Sequence, residues 1–121
     1  MEKKKTVATE EVAYVETKRS IAHFNIAGFS HYDGCQVFSK LKIGMALRLV
    51  RDKENKYDAD AVAIFYKNVK LGYIPASQNK MYADFLDMGY SDAFELLVQR
   101  CDPTAHPEQQ ITVALYLKKA N

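Results

Sequence analysis

Arg51-Asp-Lys-Glu-Asn-Lys-Tyr-Asp-Ala-Asp60, Ala61-Val-Ala-Ile-Phe-Tyr66, Lys67-Asn68 and Val69-Lys-Leu-Gly-Tyr-Ile74 follow one another without a break, and their reading decides the fold. The run from Ala61 to Tyr66 is apolar at odd and even positions alike, which is the pattern of a strand covered on both faces. A second strand-like run starts at Val69, so Lys67-Asn68 reads as the tight turn of a hairpin. Pro75 ends the hairpin because it has no N–H to give to a ladder. The polar stretch before Ala61 is then a loop held between strands. Binding groups concentrate in such loops, and this one packs charge, turn chemistry and Tyr57 close together.

Upstream, Met45, Leu47 and Leu49 alternate with Ala46, Arg48 and Val50, giving a strand that delivers Arg51 to the rim of the loop. Cys35 to Leu41 reads as a short helical turn, and His31-Tyr-Asp-Gly34 as a turn in which Gly34 is expected to supply a positive φ after Asp33. From Arg19 to Phe29 the chain alternates again, with Ala22, Phe24 and Ile26 on one side and His23, Asn25 and Ala27 on the other. Val12 to Val15 reads as the beginning of a strand. Residues 1–10 are polar and unpatterned, a flexible N-terminus ahead of one domain over 11–121.

Downstream, Ser77 is placed to cap a helix with Met81, Tyr82, Phe85 and Leu86 as its apolar face, and Gly89 fits the left-handed position past its end. Ala93 to Cys101 and Gln109 to Lys118 read as two more strands, joined by the loop Asp102-Pro-Thr-Ala-His-Pro107. The fold class expected is mostly β (α+β): a small OB-like antiparallel barrel of about six strands, with one or two short helices.

A chain of 121 residues can bury one core without disulfides or a structural metal. Its formal charge of +2 neither requires nor excludes nucleic acid. Cys35 and Cys101 form no CxxC and join no histidine cluster, so a reduced, cytoplasmic protein without metal or cofactor is expected. No apolar run reaches the roughly 20 residues of a membrane span, and Met1-Glu-Lys-Lys-Lys5 is followed by no secretory h-region. The eight tyrosines and six phenylalanines serve either to fill a β-rich core or to stack on bases.

His23, His31 and His106 have no ligand spacing. Asp84 and Asp87 share an exposed helix face, and no glycine-rich phosphate loop is present. Glu54-Asn-Lys56 has the Glu-x-Lys form of metal-dependent nucleases, with Asp33 or Asp52 as partner carboxylate, but sits in a turn rather than on a core strand. A binding surface is what remains. His31-Tyr32, Asn55-Lys-Tyr-Asp58 and Tyr73-Ile-Pro75 each set an aromatic beside polar groups. There a base can stack on tyrosine, Arg51 or Lys56 can neutralise a phosphate, and Asp58 can accept a hydrogen bond from a hydroxyl. An ordinary Asx turn explains Asn55 to Asp58 equally well.

The pieces Ile26-Ala-Gly-Phe-Ser-His-Tyr-Asp-Gly34, Leu47-Arg-Leu-Val-Arg-Asp52, Asn55-Lys-Tyr-Asp-Ala-Asp-Ala-Val-Ala63 and Leu71-Gly-Tyr-Ile-Pro75, followed by Asn79 and Leu86-Asp-Met-Gly89, resemble a HIRAN domain in order and spacing over roughly residues 19–100. Such domains occur in SWI/SNF-type fork-remodelling helicases and as small stand-alone bacterial proteins. The resemblance implies an OB-like barrel that holds the free 3′ end of single-stranded DNA. On that basis Asp58 accepts from the terminal 3′-hydroxyl, Tyr57 and Tyr32 flank the last nucleotide, Asn55 shapes the loop or touches the sugar-phosphate, and Tyr73 adds a further ring. Where the helicase-linked pattern has arginine and tyrosine before Tyr32, this chain has Ser30 and His31, and Pro75 and Ala76 replace expected basic residues. Arg51, Lys56, Lys70 and Lys80 are the basic candidates left. The function expected is a non-catalytic DNA-end binding module in repair or fork processing, with a helicase or repair protein as partner. A protein-recruiting adaptor barrel is the alternative, and a nuclease centred on Glu54 a remote one.

Overall fold

Val62, Ala63 and Ile64 are all buried, so the strand they open is covered on both faces, as its unbroken apolar run requires. The computed structural model describes residues 16–120. The expected strand at Val12–Val15 and the polar N-terminus lie outside them.

Six strands form one sheet: β1 (Lys18–Asn25), β2 (Ala46–Arg51), β3 (Val62–Tyr66), β4 (Val69–Tyr73), β5 (Phe94–Cys101) and β6 (Ile111–Lys118). Their order is β1-β6-β5-β2-β3-β4, and every pairing is antiparallel. The β3–β4 hairpin closes with Tyr66 opposite Val69. Its two-residue turn puts Lys67 at a left-handed φ of 52°, and Arg48 donates to the Lys67 carbonyl at 2.7 Å.

Leu47, Ile64, Leu71, Leu96, Val98, Ile111, Val113 and Leu115 make the core; burying each is worth about 1.5–3 kcal/mol. The helix α1 (Lys80–Asp87) lies against it through Tyr82 and Ala83, with the Tyr82 ring edge-on to Phe94 at 5.5 Å. The helical face is narrower than expected: Leu86 is half-buried, but Met81 and Phe85 are 50% and 40% exposed. Ser77 does not cap the helix. Asn79 holds the N-cap position, and its side chain is used elsewhere, as described below. Gly89 takes the expected left-handed φ, at 90°.

The mostly β architecture is the one expected, but the sheet is not closed into a barrel. Among the described residues, its edges, β1 and β4, are tied by one backbone bridge, where the chain just past β1 meets β4. There Ala27 faces Tyr73, and each N–H donates to the other's carbonyl at 2.9 Å. Gly28, at φ 72°, then swings the chain away into a short 3-10 turn at Phe29–His31, so no further ladder forms. Gly72 makes the bridge fit. Its φ is 151°, and a Cβ there would run into the Ala27 carbonyl oxygen and the Ile26 side chain. Gly34, expected at positive φ, is absent from that region; it is glycine because the Phe29 ring occupies the space of a Cβ. The helical turn expected from Cys35 to Leu41 is realised as 3-10 turns at Asp33–Gln36 and Phe38–Lys40.

Candidate nucleic-acid interface

The loop between β2 and β3 is built by its own side chains. Asn55 Oδ1 accepts from the backbone N–H groups of Tyr57 (2.8 Å) and Asp58 (3.0 Å), an Asx turn. Asp58 Oδ1 then accepts from the Asp60 N–H at 2.9 Å. These bonds leave Tyr57 at the tip, 97% exposed.

Helix α1 fixes the loop at both of its ends. At the N-cap, Asn79, only 2% exposed, donates from Nδ2 to Asp58 Oδ2 at 2.8 Å. At the last turn, Arg51 grips Asp87 through Nε (2.8 Å) and Nη2 (3.2 Å). The same guanidinium donates to the carbonyls of Ala61 (2.8 Å) and Ala59 (3.1 Å). The hydrogen bond from Arg51 is the main reason the Asp87 carboxyl lies below the usual aspartate range. Arg51, expected to meet phosphate, is therefore committed to holding loop and helix together.

Beside the loop, Tyr32 and Tyr73 meet edge-on, with ring centroids 5.8 Å apart. The Lys70 ammonium lies 5.1 Å from the Tyr32 centroid and 5.0 Å from that of Tyr73. It donates to the Tyr73 hydroxyl at 3.0 Å, and that hydroxyl donates to Asp52 Oδ2 at 2.5 Å. Asn55 Nδ2 approaches the same oxygen at 3.5 Å. Asp52 is thus the hub between the tyrosine pair and the Asx turn. The hydrogen bond from Tyr73 holds its carboxyl below the ordinary range against the opposing effect of desolvation. Burial, then Asp52, raises the Tyr73 hydroxyl, and burial raises that of Tyr32. At neutral pH both tyrosines are donors and Asp52 is an anion.

The segment carrying His31 and Tyr32 is strapped down by Glu108, which accepts from Gly28 N–H (2.7 Å), Ser30 N–H (3.3 Å) and Ser30 Oγ (2.9 Å). Burial alone would raise the Glu108 carboxyl; those hydrogen bonds outweigh it and bring it below the ordinary value. His31 itself is exposed.

Of the residues singled out in the sequence, Tyr32 and Tyr73 touch, while Asn55, Tyr57 and Asp58 share one turn. Asp52 and Lys70 entered the sequence reading only as a partner carboxylate for Glu54 and as a basic candidate; their place as connectors, Asn79 as the anchor of Asp58, and Glu108 were missed. The hairpin register held a signal for the first. Arg51 pairs with Val62 and Ala63 with Tyr73, which brings Asp52 and Tyr73 to the same end of the sheet. Nothing in the local sequence pointed to Glu108. Glu54 and Lys56 are both exposed in the loop, and no cluster of three or more His, Cys, Asp or Glu side chains placed to hold a metal occurs among the described residues.

An open antiparallel sheet whose rim offers a bare aromatic, a fixed carboxylate and a lysine-bracketed tyrosine pair is the build of a small β-sheet binding module. The chain belongs to the HIRAN domain family, whose model matches residues 21–119; the family is associated with DNA binding. The fold is similar to the crystal structure of a protein from Lactobacillus plantarum, a structural-genomics target, with a TM-score of 0.69 and 25% sequence identity, covering 85% of this chain and 97% of that one. No curated protein matches the chain. No helix among the described residues is long and apolar enough to cross a membrane.

Proposed function

We propose that the protein is a non-catalytic cytoplasmic module that holds the 3′ end of single-stranded DNA, in repair or replication-fork processing alongside a helicase or repair protein. The observation that carries this reading is the pair Tyr57 and Asp58, one ring wholly in solvent and the next side chain pinned by Asn79 and the Asp60 N–H. An exposed tyrosine on an ordered turn is a platform on which any base can stack. Each oxygen of the Asp58 carboxylate takes one hydrogen bond within the protein and has a lone pair left for a hydroxyl donor. A terminal phosphate would instead set like charge against it.

A short single strand ending in a 3′-hydroxyl is therefore expected to bind more tightly than the same strand ending in a 3′-phosphate, as measured by fluorescence anisotropy. Equal affinities would overturn the end-recognition reading. One set of side chains favours the adaptor reading: Met81, Phe85 and Met88 on or just past α1, and the neighbouring Tyr90, all stand exposed. If that reading holds, a partner pulled down by the protein stays bound after nuclease treatment, and labelled oligonucleotide is not shifted.

A further inference from the structure

We infer that Lys70 is the phosphate contact of the strand-end site, held ready for it by the two tyrosines and Asp52. This rests on the strand-end reading above and names the group that meets the backbone charge of the ligand. It follows from what the structure does with the four basic candidates.

Arg51 is bound to Asp87 and two carbonyls. Lys80 donates to both oxygens of Asp84 at 3.0 Å, one turn along the same helix. Lys56 lies on the exposed face of the loop tip, where an ordered contact would cost it the full rotamer entropy of a free lysine. Lys70 alone of the four is built into the cluster that touches Tyr32, Tyr73 and, through Asp52, the Asx turn.

The geometry suits the task. An ammonium has three N–H groups. One goes to the Tyr73 hydroxyl at 3.0 Å, and a second faces Asp52 Oδ2 at 4.0 Å, the outer limit of an ion pair. With the side chain 30% exposed, the remaining donor capacity is open to a ligand. The ring faces at 5.0 and 5.1 Å hold the ammonium in place before any ligand arrives, which reduces the ordering cost of binding. Asp52 keeps the hydrogen bonds of Tyr73 and Asn55 if the ammonium leans toward a phosphate, so the part-buried carboxylate is not left bare. One connected set of hydrogen bonds then runs from a backbone phosphate at Lys70, through Tyr73, Asp52 and Asn55, to the terminal nucleotide at Tyr57 and Asp58. The ligand class is an oligonucleotide bearing an internucleotide phosphodiester; a lone nucleoside lacks the group Lys70 reads.

The test titrates the wild type, Lys70→Gln and Lys70→Arg with a short 3′-hydroxyl single strand across a range of salt, after thermal unfolding has established that each variant is folded. Losing one phosphate contact lowers the slope of log K against log salt by about 0.7 for a single strand. Lys70→Gln is expected to show that drop and Lys70→Arg to restore the slope. Weaker binding by Lys70→Gln at an unchanged slope makes Lys70 a prop for the rings and overturns the assignment. An unchanged slope and affinity, with the preference for a 3′-hydroxyl intact, also overturns it while leaving the strand-end reading standing. No preference for a 3′-hydroxyl in the wild type takes down both.

Discussion

Asn79 and Asp58, 21 residues apart, share a 2.8 Å hydrogen bond in which the buried N-cap residue of α1 donates to the carboxylate of the β2–β3 loop. Together with the Arg51–Asp87 pair at the other end of the helix, it makes loop and helix a single mechanical unit. The Asp58 carboxylate is therefore held from the helix by Asn79 as well as from its own loop by the Asp60 N–H.

Asn79→Ala removes the donor and leaves a small void in a buried place. A loss of about 1–3 kcal/mol is expected, read as a lower urea midpoint with an unchanged m-value. Affinity for a 3′-hydroxyl strand should fall with it, since Asp58 loses its anchor. A variant as stable as the wild type would show that the bond has no structural weight.

Gly72→Ala places a methyl group against the Ala27 carbonyl at a backbone angle that disfavours any side chain. Overpacking of this kind costs about 1–3 kcal/mol. The Ala27 and Tyr73 amides, which form the tie between the sheet edges, should lose more protection from hydrogen exchange than those of β5 and β6. Uniform loss across the sheet would argue against a local bridge.

Acid should weaken the fold through specific carboxylates. Asp52, held down by the Tyr73 hydroxyl, and Asp87, held down by Arg51, have folded-state pKa values below the ordinary 3.8. Glu108, where hydrogen bonds from Gly28 and Ser30 outweigh burial, lies below 4.5. A depressed pKa stabilises the fold fully above the unfolded value, and that stabilisation is lost as pH falls through the folded one. The urea midpoint should thus hold steady near neutral pH and drop below about pH 4–5, and Asp52→Asn should flatten part of the drop. At the alkaline end the sign reverses. Tyr73 and Tyr82 are raised above 10.0, chiefly by burial, so their contribution is complete below that value and disappears as pH climbs through the raised ones.

Tyr57→Ala removes a ring that packs on nothing. Stability should stay within about 0.5 kcal/mol of the wild type, while strand affinity drops by the about 1–3 kcal/mol of one base–aromatic stack. Tyr73→Phe is the contrast: it keeps a ring but deletes the hydroxyl joining Lys70 to Asp52, so stability and affinity should both fall. Unchanged binding by Tyr57→Ala would remove the stacking platform from the proposal.

The sequence by itself determined what depends on near neighbours. The hairpin from Val62 to Tyr73, the alternation of β2, the strands β5 and β6, the helix stop at Gly89 and the Asx turn of Asn55 are all set by burial pattern and turn chemistry within a few residues. It also placed Tyr57 and Asp58 on a loop between strands. Tertiary structure decided the partners. Arg51 and Lys70 look alike to a reader of composition, yet one is spent on Asp87 and the other sits between two tyrosines, because strand register and the seat of α1 choose which acceptors each can reach. The same holds for Gly34, whose lack of a side chain answers to the Phe29 ring rather than to its own φ, and for the sheet edges, joined at one bridge because Gly28 turns the chain away. Periodicity reports how deep a residue lies. Which distant group it meets there is fixed only when the strands pair.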